Sequence, residues 1–177
     1  MIINELLNEE KWDHYSCEIK KMNKYNISRF KKEELYNFMY CMWYTQDEWG
    51  RFAPSLESLI GKVNSLLRVA FKIARENYYY DDEYKFFCGY MISQFPEFFE
   101  EDFKDYFDAK EYGDRLLQEA KLNKFCLAVM LDNNIVSQNE FKTAKEYLEI
   151  NFSKEWCIYD YFYTLLSSAN IETEKKG

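Results

Sequence analysis

The chain has 177 residues, a formal net charge of −8, 47% hydrophobic residues and 20% aromatic residues. That is enough apolar chain for one packed domain, and it excludes a disordered polymer. Five glycines and two prolines, Pro54 and Pro96, are too few for the many tight turns of a sandwich or barrel, so long helices with short polar links are expected.

The charge is uneven. Residues before Met91 carry 14 acids and 13 bases (−1), and the rest carry 17 acids and 10 bases (−7). An acidic surface is a poor general binder of phosphate backbones, which are held by Lys and Arg displacing counterions. It suits a basic protein as partner, and equally a face that is only solvated. The five cysteines, Cys17, Cys41, Cys88, Cys126 and Cys157, contain no CxxC pair and mostly sit among apolar neighbours. Buried, reduced thiols in a cytoplasmic protein are expected. The opening MIINELLNEEKWD lacks the basic and apolar runs of a signal peptide. No apolar stretch of about 18 residues predicts a membrane span.

In chain order, Met1 to Asn26 predicts a helix with Ile3, Leu6, Leu7, Tyr15, Ile19 and Met22 on its apolar face. His14, the single histidine, is expected to pack near Trp12 and Tyr15. Lys20, Lys21, Lys24, Arg29, Lys31 and Lys32 follow with no acid between them. No RNP-like, zinc-finger or helix-turn-helix signature accompanies this run, so nucleic acid is not the expected partner. Ser28 or Asn26 can cap a second helix, Phe30 to Glu48, with Leu35, Phe38, Met39, Met42 and Trp43 at helical spacing.

Ser55 opens a third helix, Leu56 to Asn77. Its stripe through Leu56, Leu59, Ile60, Val63, Leu66, Leu67, Ala70, Phe71 and Ala74 is the longest clean one in the chain, which predicts the central core helix. Gly61 inside it costs about 1 kcal/mol relative to Ala and offers room for close helix packing. Asp81, Asp82 and Glu83 suit the first turn of a fourth helix that Pro96 ends.

The stretch Phe95 to Asp108, FPEFFEEDFKDYFD, concentrates rings and acids. Wound as a helix it places Phe99, Phe103, Tyr106 and Phe107 on one face and Glu97, Glu101, Asp105 and Asp108 on another. The phenylalanines are then core anchors, and the carboxylates form an outer row. The candidate partner-binding residues are Glu97, Glu100, Glu101, Asp105, Tyr106, Asp108 and Glu111. Tyr112, Leu116, Leu117 and Ala120 continue the periodicity to Leu122.

Asn123 to Leu131 predicts a short buried helix. Ser137-Gln138-Asn139-Glu140 has the capping-box pattern and starts a helix to Ile150. Ser153 caps a last helix, Lys154 to Ser168. Residues 171–177 are expected to fray, leaving 1–170 as the domain. The fold class is all-α, a single domain of about seven to eight packed antiparallel helices. An offset of 38 residues aligns Phe87-Cys88 with Phe125-Cys126 and Phe103-Lys104 with Phe141-Lys142. A true repeat at that period would make the fold a degenerate superhelix of helix pairs.

Chemistry is scarce. One histidine with no CxxC or HExxH gives no zinc pattern, and a di-iron bundle needs two Glu-x-x-His pairs. Calcium loops need a Gly and a ligand spacing that are absent. His14 and Cys17 lack an evident third group to align them as base and nucleophile. No GxSxG, P-loop or GxGxxG occurs. No catalytic residue, cofactor or metal is expected, and the chain is read as a binding protein rather than an enzyme. Its physical character is that of bacterial immunity proteins and antitoxins, whose carboxylates and tyrosines cover the cationic groove of a toxin or nuclease. The alternative is a helical-repeat scaffold that binds a peptide or protein. The aromatic content suits a dimer seam as well as a monomer core.

Overall fold

The computed structural model describes residues 12–47, 58–121 and 135–172. Among these are eight helices: α1 (Trp12–Lys21), α2 (Lys24–Ile27), α3 (Lys32–Asp47), α4 (Ile60–Tyr78), α5 (Asp82–Gln94), α6 (Tyr106–Lys121), α7 (Gln138–Asn151) and α8 (Cys157–Ser168). The fold is all-α, with one short parallel ladder in which β1 (Ile135–Ser137) pairs β2 (Asn170–Glu172). Two parallel strands need a crossover, and the α7–α8 hairpin supplies it. Ile171 and Glu172, expected in the frayed tail, are part of this ladder. Pro54, Ser55, Cys126, the start of the first predicted helix and the helix expected at 123–131 lie outside the described residues.

The expected first helix is broken at Asn23. Its side chain accepts from the backbone N–H groups of Tyr25 (2.9 Å) and Asn26 (3.2 Å), while Asn26 returns an oxygen to Asn23 N–H at 3.1 Å. An asparagine that can bond the nearby backbone favours a cap over a helix interior. Ser28 therefore ends α2 rather than capping α3. At the start of α3 the Lys31 N–H donates to Glu34 at 2.9 Å instead. His14 and Cys17 are exposed, against the packing expected for His14, while Cys41, Cys88 and Cys157 are buried. The last helix starts three residues late, at Cys157, because Ser153 opens a turn in which its hydroxyl accepts from Glu155 N–H at 3.4 Å.

The centre of the molecule is α3 and α5, not α4. Every residue from Leu35 to Trp43 is buried, as is every residue from Phe86 to Ile92. The helix α4 buries one stripe, Val63, Leu66, Leu67, Ala70, Phe71 and Ala74, and shows Lys72, Arg75 and Glu76 to water. A clean stripe marks a helix at the edge of a core; a helix buried all round has none.

Large rings fill the space between the central helices and α8. Tyr40 and Tyr161 lie 5.1 Å apart, Phe86 and Phe162 5.3 Å, and Trp43 and Phe95 5.4 Å. Each such pair contributes about 0.5–1.5 kcal/mol beyond area burial. The buried polar atoms among them are mostly matched: Trp43 Nε1 donates to Met91 O at 3.1 Å, and Ile158 N–H donates to Asn37 Oδ1 at 3.3 Å.

Neighbouring helices run antiparallel. Lys32, at the start of α3, meets Asp81, just beyond the end of α4, at 3.4 Å. Lys85 meets Glu119 at 3.3 Å at one end of the α5–α6 pair, and Lys110 Nζ approaches Ser93 O at 3.5 Å at the other. That pair crosses where Gly89 faces Gly113: a Cβ at Gly113 would stand 2.7 Å from Ser93 N and 3.1 Å from Gly89 O. Gly61, the glycine expected to permit close packing, has no described residue within 4 Å of where its Cβ would be. The 38-residue equivalence is not carried by the structure where it can be followed. Phe103-Lys104 lies in a bend before α6, and Phe141-Lys142 lies inside α7.

Candidate functional site

The sequence predicts one helix through Phe95–Asp108, and the structure divides it. Pro96–Phe98 and Glu100–Asp102 are two single 3₁₀ turns, residues 103–105 bend, and α6 begins at Tyr106. The turns are closed by Phe99 N–H to Pro96 O at 2.9 Å and Phe103 N–H to Glu100 O at 3.0 Å. Two features of the sequence favour this over a helix. Glu97, Glu101 and Asp105 in one helical row are like-charge pairs at i,i+4, each destabilising by about 0.2–0.5 kcal/mol. Asp105 instead caps α6, its Oδ1 accepting from Asp108 N–H at 3.0 Å.

The broken segment is held by rings and by one buried carboxylate. Phe99 is fully buried, edge-on to Phe71 at 5.4 Å, and Phe103 packs on Tyr112 at 4.9 Å. Asp102, with a side chain only 4% exposed, accepts from Arg68 Nε and from Lys72 Nζ, each at 3.0 Å. The hydrogen bond to Asp102 is the main cause holding the Arg68 guanidinium above its usual pKa. Arg68 also pairs with Glu101. Two helical bases therefore fasten the middle of the acidic segment to α4.

All seven expected partner-binding residues, Glu97, Glu100, Glu101, Asp105, Tyr106, Asp108 and Glu111, are exposed. They do not form the helical row that the sequence suggests. Glu97, Glu100 and Glu101 come from the 3₁₀ turns, Asp105 from the bend, and Tyr106, Asp108 and Glu111 from the first turns of α6. Asp105 and Glu101 have structural partners. Glu97, Glu100, Asp108 and Glu111 form no ion pair with a described residue.

One residue departs from its expected role. Phe107, expected as a core anchor, is 77% exposed, with its ring 5.6 Å from the partly exposed Tyr106 ring. The phase of α6 explains this. Its buried face is Ala109, Tyr112, Leu116 and Ala120, and Phe107 lies two residues from Ala109, about 200° around the helix. Counting back from Tyr112 rather than forward from Phe99 finds the outward ring.

Compared with protein-family models, with curated proteins and with solved structures, the chain matches none. Its function must be argued from this surface. Among the described residues no three His, Cys, Asp or Glu side chains gather to hold a metal ion, and no helix is long and apolar enough to cross a membrane. What the surface offers is an exposed aromatic pair, with carboxylates along the same segment that form no ion pair with a described residue. That arrangement can bind a cationic, partly apolar surface.

Proposed function

We propose that this chain is an acidic protein-binding module of the immunity or antitoxin type. It would act in the cytoplasm, covering the cationic active-site surface of a basic toxin or nuclease. The observation that carries this reading is Phe107, a large apolar side chain left 77% exposed at the start of α6 among carboxylates that form no ion pair with a described residue. An apolar anchor with a polar rim is the usual anatomy of a protein interface, and a few such anchors carry most of its affinity. The carboxylates select the partner's sign of charge and speed encounter. They also repel a second copy brought face to face through Phe107. The Asp102 clasp and the Asp105 cap hold the segment in place before binding, which lowers the entropy lost on association.

The repeat-scaffold alternative loses its main support, because Phe103 and Phe141 do not occupy equivalent positions.

The test is association kinetics with the basic protein recovered alongside this chain. Glu100, Asp108 and Glu111 changed together to Lys spares the ion-paired Glu101 and the capping Asp105. That variant should associate on the order of tenfold more slowly, with a weaker salt dependence. Phe107→Ala should mainly speed dissociation. Unchanged kinetics in both variants would refute the assignment of this surface.

A further inference from the structure

Lys72, Arg75, Glu76 and Tyr79 line a groove of about 510 Å³ on the outer face of α4. Their spacing puts all four on one side of that helix. The size falls in the range of about 300–1,000 Å³ common for small-molecule sites.

Arg75, which lines the groove, shares a neighbouring ring with an arginine from a different helix. The guanidinium carbon of Arg75, on α4, is 5.7 Å from the centroid of the Tyr112 ring, and that of Arg115, on α6, is 5.3 Å from the same centroid. Neither forms an ion pair with a described residue, although the chain has eight more acids than bases. Glu111 stands four residues before Arg115 and Glu76 beside Arg75, yet both arginines lie over the ring instead. Lys72 is held by Asp102 at 3.0 Å, and Glu119 by Lys85 at 3.3 Å.

The ring beneath the arginines is fixed. Its hydroxyl bonds that of Tyr84 at 2.9 Å, and the ring packs at a tilt against Phe103. Burial raises the pKa of the Tyr112 hydroxyl, while the positive charge of Arg75 opposes the rise. Tyr79, 5.8 Å from Tyr84, continues this aromatic wall into the groove. Two like charges over one ring repel each other, and an oxyanion bridging them removes that cost. The planar fork of Arg matches phosphate in two parallel hydrogen bonds.

We propose that this groove binds a small phosphorylated molecule with a planar body, of mononucleotide size. The phosphate bridges Arg75 and Arg115, and the planar body rests against Tyr79. Glu76 accepts a hydrogen bond from an amino or hydroxyl group of the ligand and repels further negative charge, so a monophosphate is favoured over a triphosphate. The residues that line this groove are not among the seven around Phe107, although Lys72 holds Asp102 and Glu111 stands one turn before Arg115.

The test is titration of the whole chain with AMP, ATP and inorganic phosphate at constant ionic strength, read by NMR shifts of the α4 and α6 amides. AMP should bind more tightly than ATP or phosphate alone. Arg75→Gln and Arg115→Gln, both at exposed positions, should each weaken AMP binding about tenfold. Tyr79→Ala should weaken AMP and leave phosphate unchanged. A Lys142→Gln control on α7, outside the groove lining, should change nothing. Equal affinity for AMP and phosphate overturns the role of Tyr79, and tighter binding of ATP overturns that of Glu76. AMP binding indifferent to both arginine changes overturns the site, as does no binding up to about 10 mM.

Discussion

Replacing Gly113 by Ala tests the α5–α6 crossing directly. The added methyl would stand 2.7 Å from Ser93 N, 3.0 Å from Ile92 Cγ2 and 3.1 Å from Gly89 O. Comfortable contacts to a methyl carbon begin near about 3.5 Å, so the helices must part by roughly 0.5 Å or more. Two of the three atoms are backbone, and no rotamer change moves them. Overpacking of this kind costs about 1–3 kcal/mol, and the better helix propensity of Ala returns about 1 kcal/mol at most. With backbone on two sides the upper part of that cost applies, about 2–3 kcal/mol, so the net expectation is a loss of about 1–2 kcal/mol. Urea unfolding should show a lower midpoint at unchanged slope. For a chain of this size each kcal/mol also lowers the melting temperature by about 2–4 °C. Gly61→Ala is the internal control. No described residue lies within 4 Å of the new methyl, so it should stabilise by about 0.5–1 kcal/mol. If Gly113→Ala is as stable as the parent, or if the two substitutions shift stability in the same direction, the close crossing is wrong.

Three further outcomes are expected. Asp102→Asn should cost about 1–3 kcal/mol, less than a fully buried pair because Arg68 and Lys72 keep some contact with water. It should also speed amide exchange through residues 96–105. Ser137→Ala should cost about 1 kcal/mol of cap, read by urea unfolding. Bonds from the Ser137 backbone N–H, then from its hydroxyl, hold Glu140 below its usual pKa. Its contribution is therefore present at neutral pH and lost as the pH falls through that lowered value. Amide exchange at the start of α7, corrected for intrinsic rate, should show this loss of protection, and Glu140→Ala should remove the pH dependence. A thiol reagent should modify Cys17 in the native protein. Cys41, whose thiol is raised by its bond to Cys157 and then by burial, should react only on unfolding, as should Cys88, raised by burial.

Much of the fold was legible where local chemistry decides it. The Ser137–Glu140 box forms as its four residues predict, and Pro96 ends α5. The stripe of α4 is buried from Val63 to Ala74, while Ile60 at its start is exposed, and its clarity misled about rank. A periodic helix borders the core, whereas α3 and α5 hide their centrality by being apolar on every side. Gly61 was visible as a glycine in a helix, but only the packing shows that Gly89 and Gly113 are the ones in contact. The candidate surface was legible in its composition and not in its geometry. All seven chosen residues are exposed, yet the helix that would align them gives way to a capped break at Asp105. The long-range clasp of Asp102 by Arg68 and Lys72 joins residues too far apart in sequence for periodicity to find. Phe107 was assigned inward by extending the phase of the segment before the break.

The most direct test of the proposed function places a photo-crosslinking amino acid at Phe107 in cells that natively make the chain. The account predicts one dominant adduct with a basic protein. It also predicts that the adduct disappears when Glu100, Asp108 and Glu111 are changed to Lys. An adduct with an acidic protein, an adduct untouched by the charge reversal, or no adduct at all would contradict it.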